Sequence, residues 1–136
     1  MKVQAKWNGK MGFVGISGSN HAVVTDISKE AGGDGAAASP MELVLFGLAG
    51  CSGLDVAAII KKKRLTVRDF EIFVQAERAD DYPQVFTKVD LTYVFEGDDL
   101  TAKALEDAVR LSIDKYCSVA GMVNKTAEIN WTVEIK

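Results

Sequence analysis

Residues that commonly carry enzyme chemistry are scarce in this chain. Among its 136 residues it has two cysteines and one histidine, and no arginine precedes position 64. Two cysteines without CxxC spacing and a single histidine are too few for a structural zinc site, so we expect no metal. No Walker or dinucleotide-binding motif surrounds the loop glycines. The two thiols, Cys51 and Cys117, are therefore the main candidates for chemistry.

A large excess of charge of either sign is also missing. The chain has 16 basic and 19 acidic residues, which gives a net charge of −3 at pH 7. This balance argues against a nucleic acid or an anionic membrane surface as a partner. Residues 1–10 carry lysines and no apolar signal region, so we expect a cytoplasmic protein. In a reducing compartment two cysteines are free thiols rather than a structural disulfide.

One apolar segment, MELVLFGLAGCSGLDVAAII at residues 41–60, is long enough to span a bilayer. It contains Glu42 and Asp55, however, and carboxylates are costly inside a membrane. We therefore predict no membrane span and a helix buried in protein instead. Ser39 and Glu42 form a capping box at the start of this helix, and Pro40 fits its first position. The helix should run to about Arg64 with an apolar surface on nearly every side.

The rest of the chain predicts a single α+β domain over residues 1–136. Three short strands at residues 3–7, 12–17 and 21–28 precede the helix, and two long antiparallel strands at residues 67–80 and 83–97 follow it. Residues 100–126 have a helical pattern with a suspected break at 112–115, and a last strand spans 128–135. Three glycines in the central helix, at positions 47, 50 and 53, suggest a close approach by another helix or by a substrate.

The residues alone leave two interpretations of the cysteines open. A free cysteine is often just a small buried hydrophobic residue. Alternatively, one thiolate attacks a peroxide to give a sulfenic acid, and the second thiol condenses with it to a disulfide. Asp55, on the helix face of Cys51, would disfavour a thiolate there. Arg110 would share a face with Cys117 if the second helix ran straight.

Three segments together resemble the OsmC/Ohr family, especially its YhfA-like branch. They are SPMELVLFGLAGCSGLDV, IIKKKR and KYCSVAGMV. The resemblance implies an OsmC-like α+β fold, with antiparallel sheets around a buried central helix, and an intertwined homodimer. It implies that Cys51 attacks organic hydroperoxides, that Cys117 resolves the product as a disulfide, and that an external dithiol supplies electrons without a bound cofactor. The expected function is thiol-dependent peroxidase activity in oxidative stress defence.

Two positions depart from the pattern of the family's hydroperoxide reductases. Those enzymes place a glutamate directly after the helix-opening proline, where this chain has Met41 followed by Glu42. They also draw an arginine from the N-terminal strands, where this chain has none. Glu42, Asp55 and Arg110 are the candidate supporting residues. The alternative function is a non-enzymatic dimer that binds a small apolar ligand, or a redox sensor that signals through the same cysteine pair.

Overall fold

Three short strands near the N-terminus form an antiparallel sheet of their own. In the computed structural model, which describes all of residues 1–136, these strands are β1 (Val3–Trp7), β2 (Phe13–Ser17) and β3 (Ala22–Thr25), paired in the order β1-β2-β3. Gly9 and Asn20 adopt positive φ angles of 88° and 65° in the two turns. No residue of these strands is buried, so this chain alone leaves the apolar side chains of the sheet exposed.

The loop after β3 is organised by one buried carboxylate. Asp26 accepts hydrogen bonds from the backbone N–H groups of Ile27, Asp34 and Ala36, at 2.8, 3.2 and 3.0 Å. The bond from Ala36, followed by that from Ile27, lowers the pKa of Asp26. β3 ends at Thr25, three residues before the predicted end, because the chain folds back around this carboxylate.

A capping box begins the long central helix α1 (Pro40–Lys63), as the sequence predicts. The backbone N–H of Ser39 donates to Glu42 Oε2 at 2.7 Å, and the N–H of Glu42 donates to Ser39 Oγ at 3.3 Å. Three lysines occupy the last turn, where positive charge is favourable. Arg64 ends the helix with a φ of 57°.

The prediction that α1 is buried on nearly every side is wrong for the single chain. Its buried residues recur every fourth position, at Leu48, Ser52, Val56 and Ile60, so one face alone packs against protein. The opposite side is open, and Leu54 keeps 75% of its surface exposed. By length and composition alone α1 could cross a membrane. A single buried face is instead typical of a helix that packs on a sheet.

Of the three glycines in α1, one makes a close approach, and its neighbour is a strand side chain rather than the helix or substrate expected from the sequence. A Cβ added at Gly53 would lie 3.1 Å from Ile72 Cδ1 of the following strand. A Cβ at Gly47 or Gly50 would meet nothing within 4 Å. The sequence pattern therefore identifies a contact within the chain at Gly53 and open helix surface at the other two positions.

The second sheet contains β4 (Thr66–Arg78), β5 (Phe86–Asp98) and β6 (Glu128–Ile135) in the order β4-β5-β6. β4 and β5 pair antiparallel, as predicted, but β5 and β6 pair parallel. The expectation of wholly antiparallel sheets is therefore wrong for this pair. A parallel return needs a crossover connection, which the intervening helices supply. Central strand β5 provides the largest fully buried side chains, Tyr93 and Phe95.

The crossover consists of α2 (Ala102–Leu111), a π-helical turn (Ser112–Tyr116) and α3 (Ser118–Val123). The break expected at residues 112–115 is confirmed: it is a π-helical turn, followed by Cys117 with an extended backbone. The backbone N–H of Cys117 donates to the carbonyl oxygen of Ser112 at 2.8 Å, which is the i to i−5 bond of a π-helix.

The chain divides into two compact units, Met1–Phe46 and Gly47–Lys136, with the boundary inside α1. The first unit holds the exposed three-stranded sheet and its loop. The second holds most of α1, the mixed sheet and the crossover helices, and therefore both cysteines.

Candidate functional site: a thiol pair beside a carboxylate

The two cysteines, 66 positions apart in the sequence, meet in the second unit together with Asp55. The sulfur atoms of Cys51 and Cys117 and a carboxylate oxygen of Asp55 all lie within 4.8 Å of one another. Cys51 and Asp55 are four residues apart on α1, so their side chains share a face. Cys117 is buried, whereas Cys51 is partly accessible. The arrangement joins two free thiols of unequal exposure to one acidic group.

Cys117 is fixed by the way the π-helical turn passes into α3. It is the N-cap residue of α3, with extended backbone angles, and its Sγ accepts a hydrogen bond from the N–H of Ala120 at 3.3 Å. Burial raises the pKa of the Cys117 thiol, and the neighbouring Cys51 acts in the same direction, while the N–H of Ala120 opposes them. Cys117 therefore keeps its proton at neutral pH.

A buried chain of hydroxyl groups lies beside the thiols and holds the carboxylate. Ser112 Oγ is 3.1 Å from Asp55 Oδ2 and 3.0 Å from Ser52 Oγ, and Ser52 Oγ in turn hydrogen-bonds to the hydroxyl of Tyr93. Burial raises the pKa of Tyr93 to about 12, so the phenol is neutral and serves only as a hydrogen-bonding group. The π-helical turn thus positions Cys117 through its backbone and Asp55 through the Ser112 side chain.

Sequence reasoning missed this network. Ser112 was recognised only as part of a polar break, and neither Ser52 nor Tyr93 was considered. One signal was available, because Ser52 continues the four-residue spacing of the buried positions Leu48 and Val56. A serine on a buried helix face needs a hydrogen-bond partner from another element.

A groove of about 590 Å³ runs along α1 beside Asp55. It is lined by apolar residues from both α1 and the crossover and by two lysines; the lining residues are Asp55, Ala58, Ile59, Lys62, Lys63, Leu111 and Tyr116. Asp55 is the member of the cluster that lines this groove.

The other two supporting candidates have different contacts. Glu42 Oε2 accepts hydrogen bonds from the backbone N–H and the hydroxyl of Ser39, which lower the pKa of Glu42, so this carboxylate serves the capping box. The guanidinium of Arg110 lies 5.9 Å from the centre of the Trp131 ring and 3.7 Å from Asp107. The π-helical turn interrupts the straight helix that would have placed Arg110 on the face of Cys117.

Comparison with known proteins identifies the family. Residues 32–132 match the model of a family described as OsmC-like protein. The chain belongs to the OsmC-like family. It is 39% identical over 135 residues to Protein YhfA of Escherichia coli K12, which covers 99% of this chain and 98% of that protein.

Solved structures give the same OsmC-like fold. A hypothetical protein from Aquifex aeolicus VF5 is 33% identical, with a TM-score of 0.82 over 99% of this chain and 96% of its own. An organic hydroperoxide resistance protein from Elizabethkingia anophelis is 16% identical, with a TM-score of 0.77 over 98% of this chain and 94% of its own. At that identity the second likeness establishes the α+β fold alone. The expected family and fold class are therefore confirmed.

Proposed function

We propose that this OsmC-like protein is a cysteine-based peroxidase that reduces organic hydroperoxides. The observation that carries the proposal is the convergence of Cys51 Sγ and Cys117 Sγ to within 4.8 Å from distant parts of the chain. A disulfide needs a sulfur separation of about 2.05 Å, so a small closing movement joins them. Two cysteines that served only as packing would not need to meet.

The different environments of the two thiols support their roles. Cys51 is the more accessible sulfur, so its thiolate is the group that attacks the distal oxygen of the hydroperoxide. The O–O bond breaks, Cys51 becomes a sulfenic acid, and the leaving alkoxide takes a proton and departs as an alcohol. Burial raises the pKa of Cys117, so Cys117 remains a thiol until the sulfenic acid forms at Cys51.

Asp55 is suited to manage the proton in the second step. When Cys117 attacks the sulfenic sulfur, its S–H proton must leave and the hydroxyl of the sulfenic acid departs as water. The Asp55 carboxylate, held by Ser112 at 3.1 Å, is close enough to both sulfurs to accept the first proton and to pass it to the departing hydroxyl. An external dithiol then reduces the disulfide and restores both thiols, so no bound cofactor is needed.

The surroundings favour an alkyl hydroperoxide over hydrogen peroxide. The groove that Asp55 lines presents apolar side chains such as Leu111 and Ile59, together with two lysines. The name of the Elizabethkingia neighbour points to the same class of substrate. We place the chain in the cytoplasm as part of oxidative stress defence.

A homodimer is part of the proposal. On α1, Phe46 keeps 66% and Leu54 keeps 75% of its surface exposed. The N-terminal sheet exposes further large apolar side chains, including Trp7 at 60%. Exposed apolar surface on this scale marks an interaction site, and a second copy of the chain is the proposed partner. Sedimentation of the reduced protein should give twice the chain mass of 14.7 kDa.

The alternative is a non-enzymatic binder of small ligands or a redox sensor. One observation favours it, because Arg110 is engaged by Trp131 and Asp107 rather than by the thiols. Turnover decides between the alternatives, since a binder leaves hydroperoxide intact and a sensor is oxidised once without multiple cycles.

The test measures consumption of cumene hydroperoxide with dithiothreitol as the reductant. We expect many turnovers per chain for the wild type and none above background for Cys51→Ser. Cys117→Ser should still form a sulfenic acid at Cys51, which dimedone traps. A wild-type rate equal to that of dithiothreitol alone would refute the proposal, as would a Cys51→Ser variant as active as the wild type.

A further inference from the structure

The cluster formed by Cys51, Asp55 and Cys117 also contains the types of donor atom that bind a metal ion. Two sulfur atoms and one carboxylate oxygen lie within 4.8 Å of one another. In a tetrahedral site with zinc–sulfur bonds of about 2.3 Å, two thiolates are separated by about 3.8 Å. The donor atoms are thus within about 1 Å of the spacing that such an ion imposes, which side-chain rotation can supply.

The ligands come from two elements that the fold already holds together. Cys51 and Asp55 lie one turn apart on the same helix, and Cys117 approaches from the start of α3. Ser112 donates its hydroxyl hydrogen toward Asp55 Oδ2 at 3.1 Å, which orients the carboxylate and leaves its second oxygen free for a ligand. Support of a ligating group by a neighbouring hydrogen bond is a regular feature of metal sites.

The donor atoms determine which kind of cation would bind. Thiolates select thiophilic ions such as Zn²⁺ and Cd²⁺, whereas Mg²⁺ and Ca²⁺ require oxygen ligands. Three protein ligands leave one coordination position for water, as in zinc sites that exchange ligands. Two cysteines and one histidine alone predict no zinc site, but the carboxylate of Asp55, one helical turn from Cys51, adds a third donor to the two sulfurs.

We propose that the reduced protein binds one thiophilic divalent cation, with Cys51 Sγ, Cys117 Sγ and an Asp55 carboxylate oxygen as ligands. Binding displaces the two thiol protons to solvent and forms two metal–sulfur bonds. The bound sulfurs are then unavailable, so oxidation to the disulfide and occupation by the metal exclude each other. The site itself stands on the geometry, and only its effect on turnover rests on the proposed peroxidase function.

The experiment titrates reduced, chelator-free protein with Cd²⁺ under anaerobic conditions and follows thiolate-to-cadmium charge-transfer absorption in the ultraviolet. Zn²⁺ is then measured by competition with a chromophoric chelator. We expect one ion per chain, an absorption intensity for two thiolates, and no binding after the protein has been oxidised. Substitution Asp55→Asn should weaken Zn²⁺ binding at least tenfold. The control Asp81→Asn, an exposed acid in the turn between β4 and β5, should bind as the wild type does.

Several results would overturn the inference. They are the absence of charge-transfer absorption, an intensity for one thiolate only, or an Asp55→Asn variant that binds Zn²⁺ as tightly as the wild type. Thermal melting of each variant establishes that it is folded before titration. The two proposals can also fail independently. Ion binding without hydroperoxide reduction would support the metal site and refute the peroxidase function. Hydroperoxide turnover without ion binding would refute the metal site and support the peroxidase function.

Discussion

Replacing Ser112 by alanine tests the buried network that holds the carboxylate and the π-helical turn. Ser112 is fully buried, and its hydroxyl lies 3.1 Å from Asp55 Oδ2 and 3.0 Å from Ser52 Oγ. A hydrogen bond to a charged group contributes about 1.5–3 kcal/mol, and leaving a buried group without its partner costs a similar amount. We therefore expect Ser112→Ala to lower the free energy of unfolding by about 2 kcal/mol.

For a chain of this length that loss corresponds to a melting temperature lower by roughly 5–10 °C. Calorimetry of the reduced protein measures it. The matched control is Thr132→Val, which also removes one hydroxyl bonded to another hydroxyl, Thr92 Oγ1 at 3.3 Å, but on an exposed sheet face. The control should change stability by less than about 0.5 kcal/mol. Equal melting temperatures for Ser112→Ala and Thr132→Val would refute the view that the buried network stabilises the site.

Three further predictions concern protonation. Because burial raises the pKa of Cys117, its alkylation by iodoacetamide in a Cys51→Ser variant should still accelerate above pH 9; a rate that levels off near pH 8 would contradict this. Burial also raises the pKa of Tyr93 to about 12, so the folded state keeps a proton that the unfolded state loses above about pH 10. Tyr93 should therefore lower the free energy of unfolding as the pH rises from 10 to 12, by at most about 1.4 kcal/mol per pH unit. Tyr93→Phe should remove this part of the pH dependence. Urea titrations at alkaline pH that give the same pH dependence for variant and wild type would contradict the prediction. Hydrogen bonds from Ala36 and Ile27 lower the pKa of Asp26. The contribution of Asp26 to the free energy of unfolding is therefore fully present above about pH 4, and it is lost as the pH falls through the lowered pKa. Asp26→Asn should therefore make the loop easier to cleave by limited proteolysis at pH 7. The difference in melting temperature between variant and wild type should be smaller near pH 3 than at pH 7. Equal differences at pH 3 and pH 7 would argue against stabilisation of the loop by the Asp26 carboxylate.

The elements of the fold were largely predictable because local signals specify them. The capping box of Ser39 and Glu42 set the start of α1, and the alternating polarity of β4 and β5 marked both long strands within a few residues. The break at Ser112 was visible as a polar interruption. Its form as a π-helical turn was not, because the extra residue per turn depends on what the turn packs against.

Strand pairing and helix packing between distant segments could not be predicted from the sequence. The parallel alignment of β6 with β5 follows from the path of the crossover, which no local pattern encodes. The one-sided burial of α1 was also missed, since an apolar helix surface does not indicate which side the same chain covers and which side stays exposed.

The sequence identified the two cysteines as candidate site residues, but it could not predict that they lie close together. Cys51 and Cys117 are 66 positions apart, and their proximity depends on how α1 and α3 pack in the second unit. Asp55 was read as an unfavourable neighbour of a thiolate, yet the fold places it beside both sulfurs. The role of Arg110 depended on a straight helix, which the π-helical turn replaces.

The most direct test of the central claim is peptide mapping after oxidation by one equivalent of cumene hydroperoxide. The account predicts that each chain loses two hydrogen atoms in mass and yields, without reduction, a single linked peptide pair that joins the segment of Cys51 to that of Cys117. Recovery of both thiols unmodified, or of disulfides only between chains, would contradict it.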